Sequence, residues 1–228
     1  MRGNFIAMII YKGPVLMNIG KTEYAYNEIK RKICEGELSP LQDIVEEGLQ
    51  RELRISRTPI REALQRLHKE GFVYIYPRKG TIVTEVTRDL IYDIFLARQL
   101  NEPFCTVLAG SIISREWLKE KRRAFKEPPA DISGDNLRQY YIKHDRELHT
   151  RIIESCGNRF VANLLSIVHD HNHRIRMKTS NPANENYDHS VEEHTAIIDA
   201  LLTGKEKEIE AAVLGHIQNS RDISLKYY

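Results

Sequence analysis

The sequence predicts a mainly α-helical protein of two domains, in which three helices and a small β-hairpin precede an all-α bundle of about six helices. Apolar residues recur at helical spacing over most of the chain. The runs FVYIY and TIVTEV, rich in β-branched and aromatic residues, flank the turn PRKG and are typical of two paired strands. No strand pattern follows residue 86, so we expect the second domain to contain helices alone.

The first domain is predicted to contain three helices before the hairpin. Apolar spacing indicates the first over residues 22–35, and Asp43 is a candidate N-cap for a short second helix. Ser56 or Thr58 is expected to cap the third helix, whose first turn tolerates Pro59 because no N–H is needed there. A tight turn joins the last two helices. This order describes a winged helix-turn-helix, a module whose third helix enters the major groove of DNA.

The domain boundaries are predicted where the sequence pattern changes, with the winged helix-turn-helix over residues 21–86 and the bundle over residues 87–228. Residues 1–20 are partly apolar, but a Lys-Gly-Pro interruption leaves them too short for a membrane span and makes them a poor signal peptide. Met8 or Met17 is an alternative start. We therefore expect an N-terminal extension that is disordered or absent from the cellular protein.

The second domain is predicted to be an all-helical bundle. Its first helix is expected to be broken or bent at Pro103. The proline-containing stretch EPPADISGDN is expected to be a loop, and Gly157 and Gly204 are expected at helix ends. The later helical segments are predicted at residues 135–156, 158–179, 186–203 and 205–224.

The cysteines indicate a reducing environment. Cys34, Cys105 and Cys156 are odd in number and widely spaced, and no CxxC pair is present. This pattern argues against a disulfide framework and against a cysteine zinc site. We therefore expect a cytoplasmic protein.

Positive charge is concentrated in one part of the chain. The formal net charge is only +2, yet residues 48–82 contain eight Lys or Arg against three acidic residues. Arg57 and Arg61 lie one helical turn apart, and guanidinium groups there suit phosphates and guanine edges. The alternative interpretation is a solvated basic face on an interaction domain. The arrangement as a whole favours DNA, with predicted contacts from Ser56, Arg57, Thr58, Arg61, Arg78, Lys79 and Gly80.

Four residues of the second domain form a candidate metal site. Asp145 and His149 are four residues apart on a predicted helix and share one face. His194 lies near the start of another helix, and His216 lies on the last one. One carboxylate and three imidazoles would suit zinc, nickel, manganese or iron. The spacing alone does not establish a metal site, because an Asp and a His four residues apart commonly form a hydrogen bond on the surface of a helix.

The run VHDHNHRIR is a second histidine cluster. His169 and His173 share a face, but we find no nearby carboxylate on it, so the run is the weaker candidate for a metal site. Arg174 and Arg176, at the end of the run, are further candidates for contact with an acidic ligand. Basic residues near the end of a helix commonly interact with the helix dipole instead.

The segment over residues 24–86 resembles the DNA-binding domain of GntR-family bacterial transcription regulators. The resemblance rests on SRTPIREALQRL, followed by EGFV and a basic turn that ends in glycine. One departure lies in IVEEGLQ, where Glu47 occupies the position of an arginine that usually contacts DNA. Arg51 or Arg54 is a candidate substitute for that contact.

The region over residues 89–220 resembles the FCD effector domain of the FadR branch of that family. It is similar in ARQLNE, in a D-x-x-x-H stretch, in EH-x-x-I-x-x-A-L and in a final H-I. The resemblance implies a divalent transition metal, zinc first, and a small organic acid effector held by Arg98. The alternative for Arg98 is an ion pair with Glu102 on the same helix. The metal ligands that the resemblance implies are Asp145, His149, His194 and His216.

Together the two resemblances imply a ligand-responsive transcription regulator, expected to be a repressor that binds a palindromic operator as a homodimer. The organic acid at the metal centre is expected to modulate DNA binding. Two alternatives stay open at this point. The metal itself can be the signal, or an Asp/His₃ metal with open positions can activate water in an enzyme.

Overall fold

The computed structural model describes residues 20–179 and 187–228, so the predicted extension at residues 1–20 lies, apart from Gly20, outside the described part of the chain. The chain divides into two compact units. The first comprises the residues up to Arg31 together with Asp43–Ile82, and the second comprises Lys32–Gln42 together with Val83–Tyr228.

The predicted fold class is confirmed, since the described residues are mainly helical and contain a small antiparallel sheet near the N-terminus. The elements up to the wing are α1 (Lys21–Cys34), β1 (Asp43–Ile44), α2 (Glu46–Leu53), α3 (Arg57–Lys69), β2 (Val73–Tyr76) and β3 (Gly80–Val83). The bundle helices are α4 (Arg88–Gly110), α5 (Arg115–Lys126), α6 (Gly134–Ser155), α7 (Arg159–Thr179), α8 (Tyr187–Thr203) and α9 (Glu206–Leu225).

The sheet has three strands in the order β1-β3-β2, one more than the predicted hairpin. The extra strand β1 pairs antiparallel with β3, and Asp43 lies opposite Ile82. The prediction that Asp43 caps the second helix is therefore wrong. Its backbone belongs to the ladder, and α2 begins at Glu46 with Val45 in the N-cap position.

Helix α3 has one apolar face and one basic face. Ile60, Leu64 and Leu67 are buried, as their helical spacing predicts. Arg57 and Arg61 lie on the exposed side of the same helix. Burial of the apolar face thus fixes which way the basic residues point.

The N-terminus of α3 differs from the prediction. Ser56 has the extended backbone of an N-cap residue, but its side chain makes no capping hydrogen bond. Thr58 lies inside the helix, and Pro59 occupies its first turn as predicted. The side chains of Ser56 and Thr58 are both exposed at this end of α3.

Helix α4 is the central element of the second unit, where it packs against α6, α7, α8 and α9. It begins at Thr87, whose side-chain oxygen accepts a hydrogen bond of 3.1 Å from the Leu90 amide. The helix continues through buried Pro103 to Gly110, so it is not broken there, and a bend at Pro103 stays a prediction. Around α4 the apolar core includes Phe95, Leu118, Phe125, Leu148, Ile198 and Ile217.

The described part of the chain contains no helix that is both long enough and apolar enough to cross a membrane.

The interior of the bundle contains polar groups. The fully buried side chains include Arg98, and His149, His194 and His216 are buried as well. Polar groups at this depth need partners, and those partners define the candidate site.

Candidate metal centre and nucleic-acid interface

Three helices bring three buried histidines together. His149 on α6, His194 on α8 and His216 on α9 each have a ring nitrogen within 4.8 Å of the other two. Asp145 lies one turn before His149 on α6. Its Oδ1 atom is 2.6 Å from His194 Nε2 and 3.7 Å from His149 Nε2. The structure thus places all four residues of the candidate metal set at one point in the bundle.

Hydrogen bonds fix which ring nitrogen carries the proton in two of these histidines. His194 Nδ1 lies 2.6 Å from the Ser190 carbonyl oxygen. His216 Nδ1 lies 2.9 Å from Glu193 Oε2. Because a carbonyl and a carboxylate only accept hydrogen bonds, each Nδ1 carries the proton. Both rings therefore direct an Nε2 lone pair toward the cluster, which is the form that binds metals.

The contact between His194 and Asp145 leaves two acceptors facing each other. His194 Nε2 and Asp145 Oδ1 are both buried, and neither has a hydrogen-bond partner among the described residues. They approach to 2.6 Å. When the His194 ring is neutral, two lone pairs face each other at that distance, and a cation bound by both atoms would relieve their repulsion. An imidazole nitrogen and a carboxylate oxygen are ligands of zinc and of related metals, so the residues present fit a metal ion.

The charge of the cluster also suits a divalent ion. Burial lowers the pKa of His149 well below its ordinary value and lowers the pKa of His216 to about 4, so both rings are neutral near pH 7. Burial would raise the pKa of Asp145, but the Arg176 guanidinium holds it well below the usual range. His149 and His216 therefore present neutral imidazoles, and Asp145 presents a carboxylate.

Further contacts hold the four residues in place. Arg176 Nη1 on α7 lies 2.5 Å from Asp145 Oδ2. Phe125 stacks on the His194 ring at 5.0 Å between centroids with an interplanar angle of 7°. Asn219 donates a hydrogen bond of 2.7 Å to Glu193. Outer contacts of this kind fix the orientation of the side chains that would bind a metal.

Arg98 lies in a buried polar network beside the histidines. Its Nε atom donates to Glu102 Oε1 at 2.6 Å, and its Nη1 atom donates to Asn172 Oδ1 at 3.1 Å. Glu102 Oε1 is also 2.8 Å from His169 Nε2. The ion pair weighed as the alternative for Arg98 is therefore present. Glu102, His149 and His169 form a second group with metal-ligand spacing, but this carboxylate is already shared by Arg98 and His169.

A small cavity separates this network from the apolar core. Its volume is about 10 Å³, which is room for about one water molecule. Glu102, Thr106, His149 and His169 form its polar wall. An organic acid needs more space than this, so a ligand that enters here must move side chains.

Sequence reasoning missed several of these contacts. Glu193 directly precedes His194 but pairs with His216 on another helix. The carboxylate that serves His169 comes from Glu102 on α4, which no local pattern links to the run VHDHNHRIR. Arg176 was a candidate for an acidic ligand, and the acidic group that it meets is Asp145. Only the packing of the helices reveals these pairs.

The start of α3 carries the first part of the candidate nucleic-acid interface. The side chains of Arg57 and Arg61 are 53% and 57% exposed. Both contact Glu46 at the start of α2, at 2.7 Å from Arg57 Nε and at 3.0 Å from Arg61 Nε. Glu47 is 65% exposed and lies 3.9 Å from Arg57 Nη2. The outer face of α3 also forms an open groove lined by Thr58, Arg61, Glu62, Gln65, Arg66 and Lys69.

The wing tip carries the other predicted contacts. Arg78 adopts a left-handed backbone with φ 65°, and Gly80 has φ 119°, a region that glycine enters without a side-chain clash. The Lys79 amide donates to the Tyr76 carbonyl at 3.1 Å and closes the turn. All three tip residues are exposed. The predicted DNA contacts therefore occupy two exposed regions, the start of α3 and this turn.

Comparisons with known proteins match both parts of the chain. The family described as bacterial regulatory proteins, gntR family, matches residues 21–83, and the FCD domain matches residues 93–219. The Nta operon transcriptional regulator of Aminobacter aminovorans is 31% identical over 184 residues, which cover 80% of this chain and 84% of that protein. The uncharacterized HTH-type transcriptional regulator YdhC of Bacillus subtilis is 28% identical over 198 residues, or 85% of this chain and 86% of that protein.

A solved structure has a similar fold. The Escherichia coli McbR/YncC protein superposes with a TM-score of 0.75 over 91% of this chain and 98% of that chain. The two are 20% identical in sequence, so the likeness concerns the fold.

The contact between Glu193 and His216 generates a prediction about metal affinity. We expect the zinc affinity of the Glu193→Gln protein to be about 10–100-fold lower, because a neutral amide no longer raises the basicity of the His216 ring. Competition with a chelating dye measures this affinity. Glu192→Gln is the matched control, since Glu192 is 80% exposed and lies 4.0 Å from the nearest histidine nitrogen. Equal zinc affinity in the two variants would contradict the role of Glu193.

Proposed function

The chain belongs to the gntR family of bacterial regulatory proteins and carries an FCD domain, and we propose that it is a repressor of the FadR branch controlled through a metal-bound organic acid. Its relatives are transcription regulators; it is a DNA-binding transcription regulator and not an enzyme. The observation that carries the proposal is the buried pair of facing acceptors, His194 Nε2 and Asp145 Oδ1.

We propose that a divalent transition metal binds at this cluster. Three imidazole nitrogens and one carboxylate oxygen favour zinc, with nickel, manganese and iron as alternatives. Such a metal supplies a Lewis acid with positions left for an oxygen ligand from the effector. Its proposed protein ligands are Asp145, His149, His194 and His216.

The proposed effector is a small organic acid whose carboxylate binds the metal, with Arg98 as a second contact. The pair between Arg98 and Glu102 sets a condition on that contact. The carboxylate of an effector can bind Arg98 only if it displaces Glu102 from the guanidinium. Glu102 could then keep its contact with His169, because Glu102 Oε1 already lies 2.8 Å from His169 Nε2. The small cavity beside these residues would enlarge in the same step.

On DNA, the proposed repressor is a homodimer whose two α3 helices read the two halves of a palindromic operator. Arg57, Thr58 and Arg61 would contact phosphates and base edges in the major groove. Arg78 and Lys79 would place the wing at the backbone or the minor groove. Binding of the effector is proposed to release the protein from DNA.

An exposed apolar stripe on α4 supports the dimer. Helices α4 and α7 pack against each other, and Leu100, 71% exposed, and Phe160, 72% exposed, are the most exposed apolar residues of the two helices. On α4, Tyr92, Leu96, Leu100 and Phe104 are spaced four residues apart and so share one face, and an exposed apolar face of this kind marks an interaction site. We propose a second copy of the chain as its partner, because a two-fold operator requires one. The apolar residues exposed on the two helices are Tyr92, Leu96, Leu100, Phe104, Phe160 and Leu164.

Helix α7 supports a route from the metal centre to the segment that follows the wing. Arg176 contacts the proposed ligand Asp145. Two residues earlier, Arg174 donates to the Thr84 side chain at 2.9 Å and to the Thr84 carbonyl. Thr84 directly follows β3. A change at Asp145 would therefore reach Thr84 through a single helix.

A metal-sensing regulator is the second candidate function, since the same cluster would serve both. Reversibility separates the two. A sensor loses and regains its metal near cellular concentrations, whereas a metal that anchors an effector stays bound throughout.

Metal content tests the proposed centre. We expect about one metal per chain in protein purified without chelators or nickel resin, and none in the Asp145→Ala/His149→Ala double variant, because it lacks two of the four ligands. Elemental analysis by mass spectrometry measures both. His68→Ala, which removes an imidazole from the first unit, should keep its metal. Native protein without metal, or a double variant that retains it, would count against the proposed function.

The apolar stripe generates a prediction about assembly. Leu100→Glu would bury an unpaired carboxylate at the dimer contact, which costs several kcal/mol, so we expect the dimer Kd to rise about 100-fold or more. Sedimentation should then show the 26.5 kDa monomer. Ile112→Glu is the control, because Ile112 is 61% exposed and lies outside the stripe. A Leu100→Glu dimer as stable as the wild type would place the interface elsewhere.

Arg174 generates a prediction about coupling. Loss of its two hydrogen bonds in Arg174→Met should speed amide exchange in peptides spanning residues 80–87 by up to about 30-fold, since each bond contributes about 1 kcal/mol. We also expect removal of zinc by a chelator to change this exchange in the wild type but not in the variant. Hydrogen–deuterium exchange with mass spectrometry measures both effects.

The control for this experiment is Arg115→Met. Arg115 donates to the Leu202 carbonyl at 2.9 Å, elsewhere in the second unit. It should leave residues 80–87 unchanged. If Arg174→Met keeps its zinc and also keeps the wild-type response to the chelator, α7 is not the route.

A further inference from the structure

A single carboxylate in the first unit holds two arginines. Glu46 is the first residue of α2, and Arg57 and Arg61 lie one turn apart at the start of α3. Glu46 Oε2 is 2.7 Å from Arg57 Nε and 3.0 Å from Arg61 Nε, and its Oε1 is 3.1 Å from Arg61 Nε. The Glu46 carboxylate thus bridges Arg57 and Arg61, the two arginines that are proposed to contact DNA bases.

The contacts leave one edge of each guanidinium group available. Glu46 engages the Nε atoms of both arginines. Among the described residues, the Nη atoms of Arg57 and Arg61 have no hydrogen-bond partner, and Arg57 Nη2 lies 3.9 Å from Glu47 Oε1. The Nη1 and Nη2 atoms form the fork that binds guanine O6 and N7 in a bidentate manner. Anchored at Nε, each fork is directed away from Glu46.

Glu46 is better placed for this than its neighbour. Its side chain is 21% exposed, against 65% for Glu47. Burial would raise the pKa of Glu46, but hydrogen bonds from Arg57 and Arg61 hold it below the ordinary value, so the carboxylate stays charged. Two guanidinium groups and one carboxylate retain a net positive charge, which DNA attracts.

We propose that Glu46 is a positioning residue for sequence recognition, which orients Arg57 and Arg61 before DNA arrives. An arginine side chain carries about 2 kcal/mol of rotamer entropy, and an anchored fork loses less of it on binding. The proposal rests on the proposed function of Arg57 and Arg61 as operator contacts. It does not involve the metal centre.

This role predicts opposite effects on two kinds of DNA. The Glu46 carboxylate repels phosphates, so its neutralisation leaves binding to unrelated DNA unchanged or stronger. Operator binding weakens, because the two forks are no longer held in register with the base edges. The ratio of the two affinities therefore falls. A residue that only stabilises the fold would lower both affinities together.

The test uses the full chain with a duplex that the wild type selects from a random library, and with an unrelated duplex of equal length. Fluorescence anisotropy at one fixed salt concentration gives both Kd values. We expect Glu46→Gln to lower the ratio of affinities about tenfold, as one impaired bidentate contact would. Glu28→Gln is the matched control and should keep the ratio within about twofold, since Glu28 on α1 is 24% exposed and its 3.4 Å ion pair is with Arg31, which is not a proposed DNA contact.

Two further variants make the outcomes distinct. Arg61→Ala should lose about 10–100-fold in operator affinity; if it loses none, the proposed DNA contact fails and this inference fails with it. Glu46→Asp keeps the charge but shortens the reach to both arginines, so the ratio should fall here also. If Arg61→Ala weakens operator binding while Glu46→Gln preserves the ratio or binds the operator more tightly, the positioning role alone is overturned.

Discussion

Asp145 Oδ1 on α6 and His194 Nε2 on α8 face each other at 2.6 Å inside the helical bundle, where a cation bound by both atoms would join the two helices. The Ser190 carbonyl holds the proton of His194 on Nδ1, so both facing atoms carry lone pairs. A buried polar atom without a partner costs about 1–3 kcal/mol, and a cation between the two would remove both costs. Since the histidines come from α6, α8 and α9, a metal here would link these helices much as a covalent crosslink does.

The polar residues of α7 contact buried polar groups on other helices and the segment after β3. His169, Asn172 and Arg176 lie on one side of the helix and contact Glu102, Arg98 and Asp145. Arg174 lies on nearly the opposite side of the helix and contacts Thr84. The run VHDHNHRIR therefore connects the buried network, where His169 contacts Glu102, to the segment after the wing. A helix with two such faces moves as a rigid body, which makes it suited to carry a displacement.

Local sequence patterns predict which residues share a face of one helix or strand. They do not predict which residues of two different elements contact each other. The face shared by Asp145 and His149 follows from helical spacing alone, whereas the match of His194 and His216 to that site came only from the family resemblance. The strand β1 escaped prediction because two residues carry no periodicity, and its pairing with β3 displaced Asp43 from the N-cap. Partners such as Glu102 for His169 depend on the packing of α4 against α7, which no local pattern encodes.

Two pairs of adjacent glutamates illustrate the same limit and its physical cause. Glu46 and Glu47 begin α2, and Glu192 and Glu193 lie in α8. In each pair one side chain is largely buried, at 21% and 14% exposed, while its neighbour is 65% and 80% exposed. Successive residues of a helix point about 100° apart, so only one of two neighbours can face the adjoining helix. That carboxylate meets less water, which strengthens its attraction to the groups on the next helix. The helix phase, set by apolar burial, thus decides which acid positions a functional side chain.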